Sequence, residues 1–200
     1  MTAEMDREES CGAVVVGGSA GSLDPLLSIL EQLPKDYPLP VAVVVHTPKD
    51  QPSVLVDALA ARCPLPVREP VDKEPLQPGT VFVAAPGYHL LVERGARFAF
   101  SVDEPVSFAQ PSIDVLFESA AESYGRRLLA VILSGANHDG ARGLAAVFKA
   151  GGLAFVQAPD EAAYPEMPKA ALRACPAARA LPACHIGRRL VAELDSPVGR

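Results

Sequence analysis

Ser19 lies in a glycine-rich turn that is the segment of this chain best suited to chemistry. The apolar run 13–16 is followed by Gly-Gly-Ser-Ala-Gly at 17–21, and a helix-forming segment begins at Leu23. A strand, a sharp turn and a helix in this order lift a serine hydroxyl off the end of a sheet, as a nucleophile elbow does. Glycines allow the unusual backbone angles and the close helix–strand approach of such a turn. The free N–H groups at the start of the helix can stabilise an oxyanion, so the turn is a candidate active site.

Two other functions of this turn need to be weighed. Glycine-rich strand-to-helix turns also bind the phosphates of dinucleotides, and glycines can serve helix packing alone. A dinucleotide site calls for an acidic residue at the end of the second strand, whereas the run 41–45 ends in His46. The chain also has no Gly-Lys-Ser/Thr step of the kind that binds nucleoside triphosphates. The serine nucleophile therefore fits the sequence best.

Two further strand ends carry residues that can assist a serine. His46 follows the run 41–45, and Asp139 lies in the loop that follows the run 128–133. The carboxyl ends of parallel strands meet at one edge of a sheet, so the three side chains are expected to converge there. A serine, a histidine and an aspartate placed together form a nucleophile, a general base and a carboxylate that orients the base.

The other histidines offer alternatives. Ser19, Asp139 and His185 follow the chain order of an α/β-hydrolase, but in those enzymes several strands precede the elbow. We favour His46 as the base, because it directly follows a predicted strand. His138 is interpreted as a loop neighbour, and Asp139 as a residue that also caps the helix 141–150. For His89, substrate contact and turn packing both remain open.

The pattern of apolar residues predicts a three-layer, doubly wound, mostly parallel α/β sheet, in which short β-branched runs alternate with amphipathic segments. A proline-rich stretch from 67 to 101 ends in a hairpin (90–93 and 97–101), which predicts a short antiparallel addition at a sheet edge. The predicted parallel strands are 13–16, 41–45, 81–84, 128–133 and 153–156, and the predicted helices are 23–33, 53–62, 113–124, 141–150, 169–174 and 187–194.

Composition is typical of one globular domain. The 200 residues are 49% hydrophobic and carry a net charge of −6, which gives little electrostatic support for binding nucleic acid. No apolar run is long enough to cross a bilayer, and residues 1–10 lack a signal core, so we expect a cytoplasmic protein without membrane insertion. Cysteine and histidine spacing predicts no metal site. We expect a single domain at 11–195, with a disordered segment at 1–10 and a flexible tail at 196–200.

With these residues assembled, the chain resembles the CheB family, the catalytic domain of chemotaxis protein-glutamate methylesterases. The resemblance extends from about 12 to 194. It covers the serine turn, the histidine loop and the aspartate loop, with three further blocks in order and spacing. These segments are 17–21, 45–48, 133–141, 85–90, 111–117 and 167–171.

The resemblance implies a serine hydrolase that removes methyl esters from glutamate side chains on the cytoplasmic helices of chemoreceptors, and that also deamidates glutamine there. It implies that Ser19 is the nucleophile, His46 the general base and acid, and Asp139 the orienting carboxylate. The backbone N–H groups of Ala20 and Ala136 are the implied oxyanion donors, and no metal or organic cofactor is required. The alternatives are a non-catalytic binding module with this fold and a small-molecule serine esterase.

Two features differ from the family pattern. The chain begins almost directly at the first strand, so we expect no receiver domain and no effect of acetyl phosphate on the rate. Control is then expected from a regulator in trans, from expression or from the segment 1–10. The family often has an arginine just before its Pro-Ser-Val/Ile-Asp block, where this chain has Phe108, Ala109 and Gln110. The substrate is then expected to be a receptor of another pathway or another methylated protein.

Overall fold

The computed structural model describes residues 12–47 and 54–194. These residues form nine strands and six α-helices, with a 3₁₀ turn at Gly125–Arg127. The strands are β1 Ala13–Gly18, β2 Val41–Val45, β3 Val67–Arg68, β4 Val81–Val83, β5 His89–Glu93, β6 Arg97–Ser101, β7 Leu128–Ile132, β8 Leu153–Gln157 and β9 Arg179–Leu181. The helices are α1 Leu23–Leu30, α2 Val54–Ala60, α3 Ile113–Tyr124, α4 Ala141–Lys149, α5 Glu166–Ala174 and α6 Ala183–Ala192.

Seven strands form one parallel sheet in the order β3-β4-β2-β1-β7-β8-β9. The first strand is central, and the chain adds β2 on one side of it and β7 on the other. The strand order therefore reverses around β1, and in open parallel sheets ligands bind beyond the carboxyl ends of the strands at such a point. Gly18 pairs with Val45, and Gly17 pairs with Ile132, so β1, β2 and β7 end side by side.

Each face of the sheet buries its own apolar core, because successive side chains of a strand point to opposite faces. Val14 and Val16 pack into the core formed with α1, α2 and α6. Ala13 and Val15 pack into the core formed with α3, α4 and α5. Helices on both sides of a parallel sheet confirm the predicted three-layer fold.

The predicted hairpin is confirmed as a separate two-stranded antiparallel sheet of β5 and β6. Leu90, Val92 and Phe98 join the core that also contains α3. The hairpin pairs with no described strand of the seven-stranded sheet and packs beside α3, because its apolar side chains fill that face.

The elements differ from the predicted ones mainly at the ends. Strands β3 and β9 were not predicted; they are two and three residues long, and too short to show periodicity. Helices α5 and α6 begin before the predicted positions. The predicted terminal segments 1–10 and 196–200 lie outside the described residues, as does Ser53.

No helix in the described part of the chain is long and apolar enough to cross a membrane.

Candidate active site

The serine turn is fixed by its backbone. Ser19 follows β1, and its N–H donates to the carbonyl of Ser134 over 2.9 Å. Its own carbonyl accepts the hydroxyl of buried Ser22 at 2.7 Å and the N–H of Ser22 at 3.1 Å, which closes the turn ahead of α1. These bonds use no atom of the Ser19 side chain, so the half-buried hydroxyl is available for chemistry.

Glycine is required in this turn for two reasons. Gly21 has a φ of +72°, and a Cβ there would lie 2.7 Å from Cβ of Ala163. A Cβ on Gly18 would lie 2.6 Å from Cβ of Ser22. Both distances are too short for ordinary packing. The second confirms that the start of α1 approaches β1 closely, and the first shows that the loop before α5 packs against the turn. The left-handed residue of the turn is Gly21, and Ser19 has no positive φ.

Asp139 is fully buried, and five donors converge on its carboxylate. Oδ1 accepts the hydroxyl of Ser112 at 2.8 Å and the N–H groups of Asp114 and Gly140 at 3.1 and 3.0 Å. Oδ2 accepts the N–H of Ile113 at 2.7 Å and Nε2 of His46 at 2.8 Å.

The prediction that Asp139 caps α4 is therefore wrong about which helix is capped. The carboxylate caps the first turn of α3, and α4 is capped instead by Asp114, whose Oδ1 accepts the N–H of Gly143 at 2.7 Å. Each aspartate caps the helix to which the other is attached. This exchange of caps arises because α3 and α4 begin side by side, and it locks Asp139 in place.

The two buried carboxyl groups have opposite pKa shifts. Burial by itself raises the pKa of Asp139, but the hydrogen bonds from His46, Ile113 N–H, Asp114 N–H and Ser112 outweigh burial and lower this pKa below its ordinary value. Burial raises the pKa of Asp114, and the negative charge of Asp139 adds to the rise although the N–H of Gly143 opposes it. Asp139 is thus held as an anion beside the imidazole.

His46 follows β2 and lies between Asp139 and Asn137. A carboxylate only accepts, so Nε2 of His46 carries the proton and donates it to Asp139, which leaves a lone pair on Nδ1. Nδ2 of Asn137 lies 3.3 Å from that nitrogen. The amide is fixed in this orientation because its Oδ1 accepts the N–H of Asp139 at 3.1 Å. The basic nitrogen of His46 therefore faces a donor of Asn137.

Ser19 and His46 open into one cleft of about 410 Å³. Within the described part of the chain the Ser19 hydroxyl makes no hydrogen bond, so the expected contact between Ser19 and a ring nitrogen of His46 is not made; Asn137 takes the position at Nδ1. The cleft is lined by Ser19, His46, Thr47, Ser107, Phe108, Ala109, Gln110, Pro111 and Asn137.

The two backbone groups expected to bind an oxyanion are free to do so. Ala20 and Ala136 are exposed, and neither N–H donates to another residue in the ranges 12–47 and 54–194. Ser134 fixes the loops that carry them: its hydroxyl donates to the carbonyl of Ala20 at 2.8 Å and accepts the N–H of Tyr164 at 2.9 Å. Sequence reasoning missed Ser134 and Asn137, although a small polar residue directly after a buried strand was a signal for the first of them.

The remaining histidines lie outside this arrangement. His185 is exposed on α6 and does not line the cleft, so it does not replace His46. His138 is exposed in its loop, as expected of a loop neighbour. His89 is buried: its Nδ1 accepts the N–H of Ser112 at 3.2 Å and its Nε2 faces the carbonyl of Glu104 at 3.1 Å. Of the two functions considered for His89, the structure supports turn packing.

The chain is a doubly wound α/β protein in which a serine turn after the first strand lies beside a histidine–aspartate pair at the neighbouring strand ends. The sequence model of the CheB methylesterase family matches residues 14–190. The chain belongs to the CheB methylesterase family.

Similar proteins agree with this assignment. A protein of Leptospira interrogans, provisionally named protein-glutamate methylesterase/protein-glutamine glutaminase, is 43% identical over 162 residues, which cover 81% of this chain and 84% of that protein. A Bradyrhizobium diazoefficiens protein-glutamate methylesterase/protein-glutamine glutaminase is 35% identical over 89% of this chain and 50% of its own length. The crystal structure of the Thermotoga maritima CheB methylesterase catalytic domain superposes with a TM-score of 0.87 at 31% identity, covering 92% of this chain and 98% of that one.

Proposed function

We propose that this protein is a protein-glutamate methylesterase that hydrolyses γ-glutamyl methyl esters on the helices of a chemoreceptor-type protein, with Ser19, His46 and Asp139 as its catalytic triad. The observation that carries the proposal is the 2.8 Å contact between His46 and a buried, ionised Asp139, at the cleft into which Ser19 opens. The names of the Leptospira and Bradyrhizobium relatives support the substrate. Receptor helices of this kind lie in the cytoplasm, so the same proposal places the protein there.

The first half of the reaction transfers the acyl group to the enzyme. When substrate enters, the Ser19 hydroxyl replaces the Asn137 amide at Nδ1 of His46. His46 then accepts the Ser19 proton while the oxygen forms a bond to the ester carbonyl carbon. The carbonyl oxygen becomes an oxyanion, which the N–H groups of Ala20 and Ala136 stabilise. The bond to the methoxy oxygen breaks, and methanol leaves with the proton from His46.

The second half releases the product. A water molecule gives its proton to His46 and attacks the glutamyl-enzyme carbonyl, and the bond to Ser19 breaks as the serine recovers its proton. Asp139 orients the ring and stabilises its positive charge in both halves. A glutamine side chain enters the same sequence with ammonia in place of methanol, which accounts for deamidation. No step calls on a metal or an organic cofactor.

The test uses a chemoreceptor cytoplasmic fragment that a methyltransferase has labelled with methyl groups. We expect the full chain to release methanol from this fragment, and ammonia from the same fragment with glutamine at the modified positions. Methanol release from methyl acetate, a small ester, is measured in parallel. The comparison separates a protein esterase from a small-molecule esterase. Hydrolysis of the small ester without any release from the labelled protein would refute the proposed substrate.

Exchange of the two competing histidines for alanine tests the base. His46→Ala is expected to remove nearly all methanol release, by roughly 10³-fold or more, because His46 is the histidine that contacts Asp139 and lines the cleft together with Ser19. His185→Ala is expected to retain wild-type activity, because that side chain is exposed on α6 away from the cleft. Initial rates of methanol release from the labelled fragment show which of the two histidines is the general base. The reverse pattern would assign the base to His185.

A further inference from the structure

The loop between β6 and α3 presents a phenylalanine in an unusual way. Phe108 is fully exposed at the tip of a tight turn and is the most exposed large apolar side chain of the described residues. Val106 and Ala109 exchange two backbone hydrogen bonds, of 3.1 and 2.9 Å, across Ser107 and Phe108. Both central residues have positive φ, +52° and +62°, as in a type I′ turn. Asn-Gly is the usual sequence there, so phenylalanine carries a backbone cost.

The base of this loop is fastened on several sides. The side chain of Gln110 donates to the carbonyl of Asp103 at 2.8 Å, and buried His89 contacts the carbonyl of Glu104. The carbonyl of Gln110 also accepts the N–H of Gly87. The turn therefore projects from a fixed base, and the position of its tip is determined by these bonds. A strained residue held in place in this way is a typical feature of functional surfaces.

Phe108 lines the same cleft as Ser19 and His46. Among the described residues that line the cleft there is no lysine, arginine, aspartate or glutamate, and its apolar part is formed by Phe108, Ala109 and Pro111. An aromatic ring at the rim of such a cleft buries apolar surface when a partner covers it. No described residue packs over Phe108, so the ring is open to a bound partner.

We propose that Phe108 is a specificity-determining residue that binds an apolar side chain of the substrate helix, one turn away from the methyl-esterified glutamate. This inference rests on the proposed function. On a helix, residues three or four positions apart lie on the same face, so a glutamyl side chain that enters the cleft brings such a neighbour to the rim. Phe108 thereby selects modified glutamates that have a leucine, isoleucine, valine or methionine at that spacing.

The test compares Phe108→Ala, Phe108→Leu and Phe108→Gly with Phe148→Ala, which removes another exposed phenylalanine, on α4 and outside the cleft. On the labelled receptor fragment we expect Phe108→Ala to raise KM about tenfold with little change in kcat, because one aromatic contact is lost. Leucine is expected to restore most of the loss. Phe148→Ala is expected to behave as the wild type.

Two further measurements separate recognition from a structural role. Phe108→Gly is expected to raise both KM and the midpoint of thermal unfolding, because glycine relieves the positive φ while removing the contact. The substitutions are expected to change the hydrolysis of methyl acetate far less than that of the labelled fragment, because methyl acetate is too small to reach the tip of the turn. An unchanged KM in Phe108→Ala, or an equal loss on both substrates, would overturn the role of Phe108. A wild-type protein that does not hydrolyse the labelled fragment would overturn the proposed function, and this inference with it.

Discussion

Ser19→Ala is expected to lower methanol release from a methylated receptor fragment by a factor on the order of 10⁴ or more, while the protein remains folded. The loss is large because the substitution removes the atom that is proposed to form the acyl-enzyme. Stability is retained because the turn is held by the N–H and the carbonyl of residue 19, through Ser134 and Ser22, and alanine keeps both groups. Methanol release and urea unfolding of the same preparation measure the two effects.

Ser22→Ala is the matched control. Its hydroxyl is buried and donates to the carbonyl of Ser19, so its loss is expected to cost about 1 kcal/mol of unfolding free energy. The nucleophile itself remains, and the activity should fall far less than in Ser19→Ala. Full activity in purified Ser19→Ala would remove the serine from the mechanism.

Asp139→Asn is expected to damage both catalysis and folding. Activity should fall by a factor on the order of 10⁴, because an amide no longer holds the histidine in the required tautomer. The amide also presents an NH₂ group to donors that now converge on a carboxylate, including the N–H groups of Ile113 and Asp114. At least one buried donor then loses its acceptor, which costs roughly 1–3 kcal/mol of unfolding free energy. Methanol release and urea unfolding at pH 7 are the measurements.

The pH dependence of stability gives a second test of this carboxylate. The pKa of Asp139 is lowered in the folded protein, so the unfolded chain binds its proton first as the pH falls. The stabilisation is therefore present at neutral pH and is lost as the pH falls below the ordinary aspartate value of 3.8 and through the lowered pKa. Asp139→Asn is expected to show a smaller loss of unfolding free energy over that range.

Asp114→Asn is the comparison for that experiment. Asp114 is also buried, but its pKa is raised and His46 is not among its hydrogen-bond partners. The substitution is expected to leave the histidine oriented and to retain much more activity than Asp139→Asn. If Asp139→Asn kept wild-type activity, the orienting role of Asp139 would be refuted.

The sequence predicted the fold well because parallel strands buried on both faces have a strong signature. The runs 41–45 and 128–133 are continuous and β-branched or leucine-rich, and β2 and β7 are found there. A residue that directly follows such a strand is placed at the carboxyl edge of the sheet by topology alone. For this reason the sequence predicted that Ser19, His46 and Asp139 converge at one edge of the sheet.

Contacts between neighbouring helices and loops could not be predicted in the same way. Asp139 precedes α4 in the chain, and sequence proximity predicted that it caps α4. Its carboxylate faces α3 because the two helices begin side by side, a property of packing and not of local sequence. The contact of Asn137 with His46 likewise depends on the exact course of two loops that are 91 residues apart.

The exchange of caps between Asp139 and Asp114 predicts which residues an inactive descendant of such an enzyme would retain. A chain that lost the reaction but kept the fold would still benefit from Asp139, since the two helices that frame it need the carboxylate whether or not ester is hydrolysed. The hydroxyl of Ser19 supports no other described residue, so drift would remove it without harm. On the proposed mechanism, loss of this serine would therefore mark a scaffold that only binds.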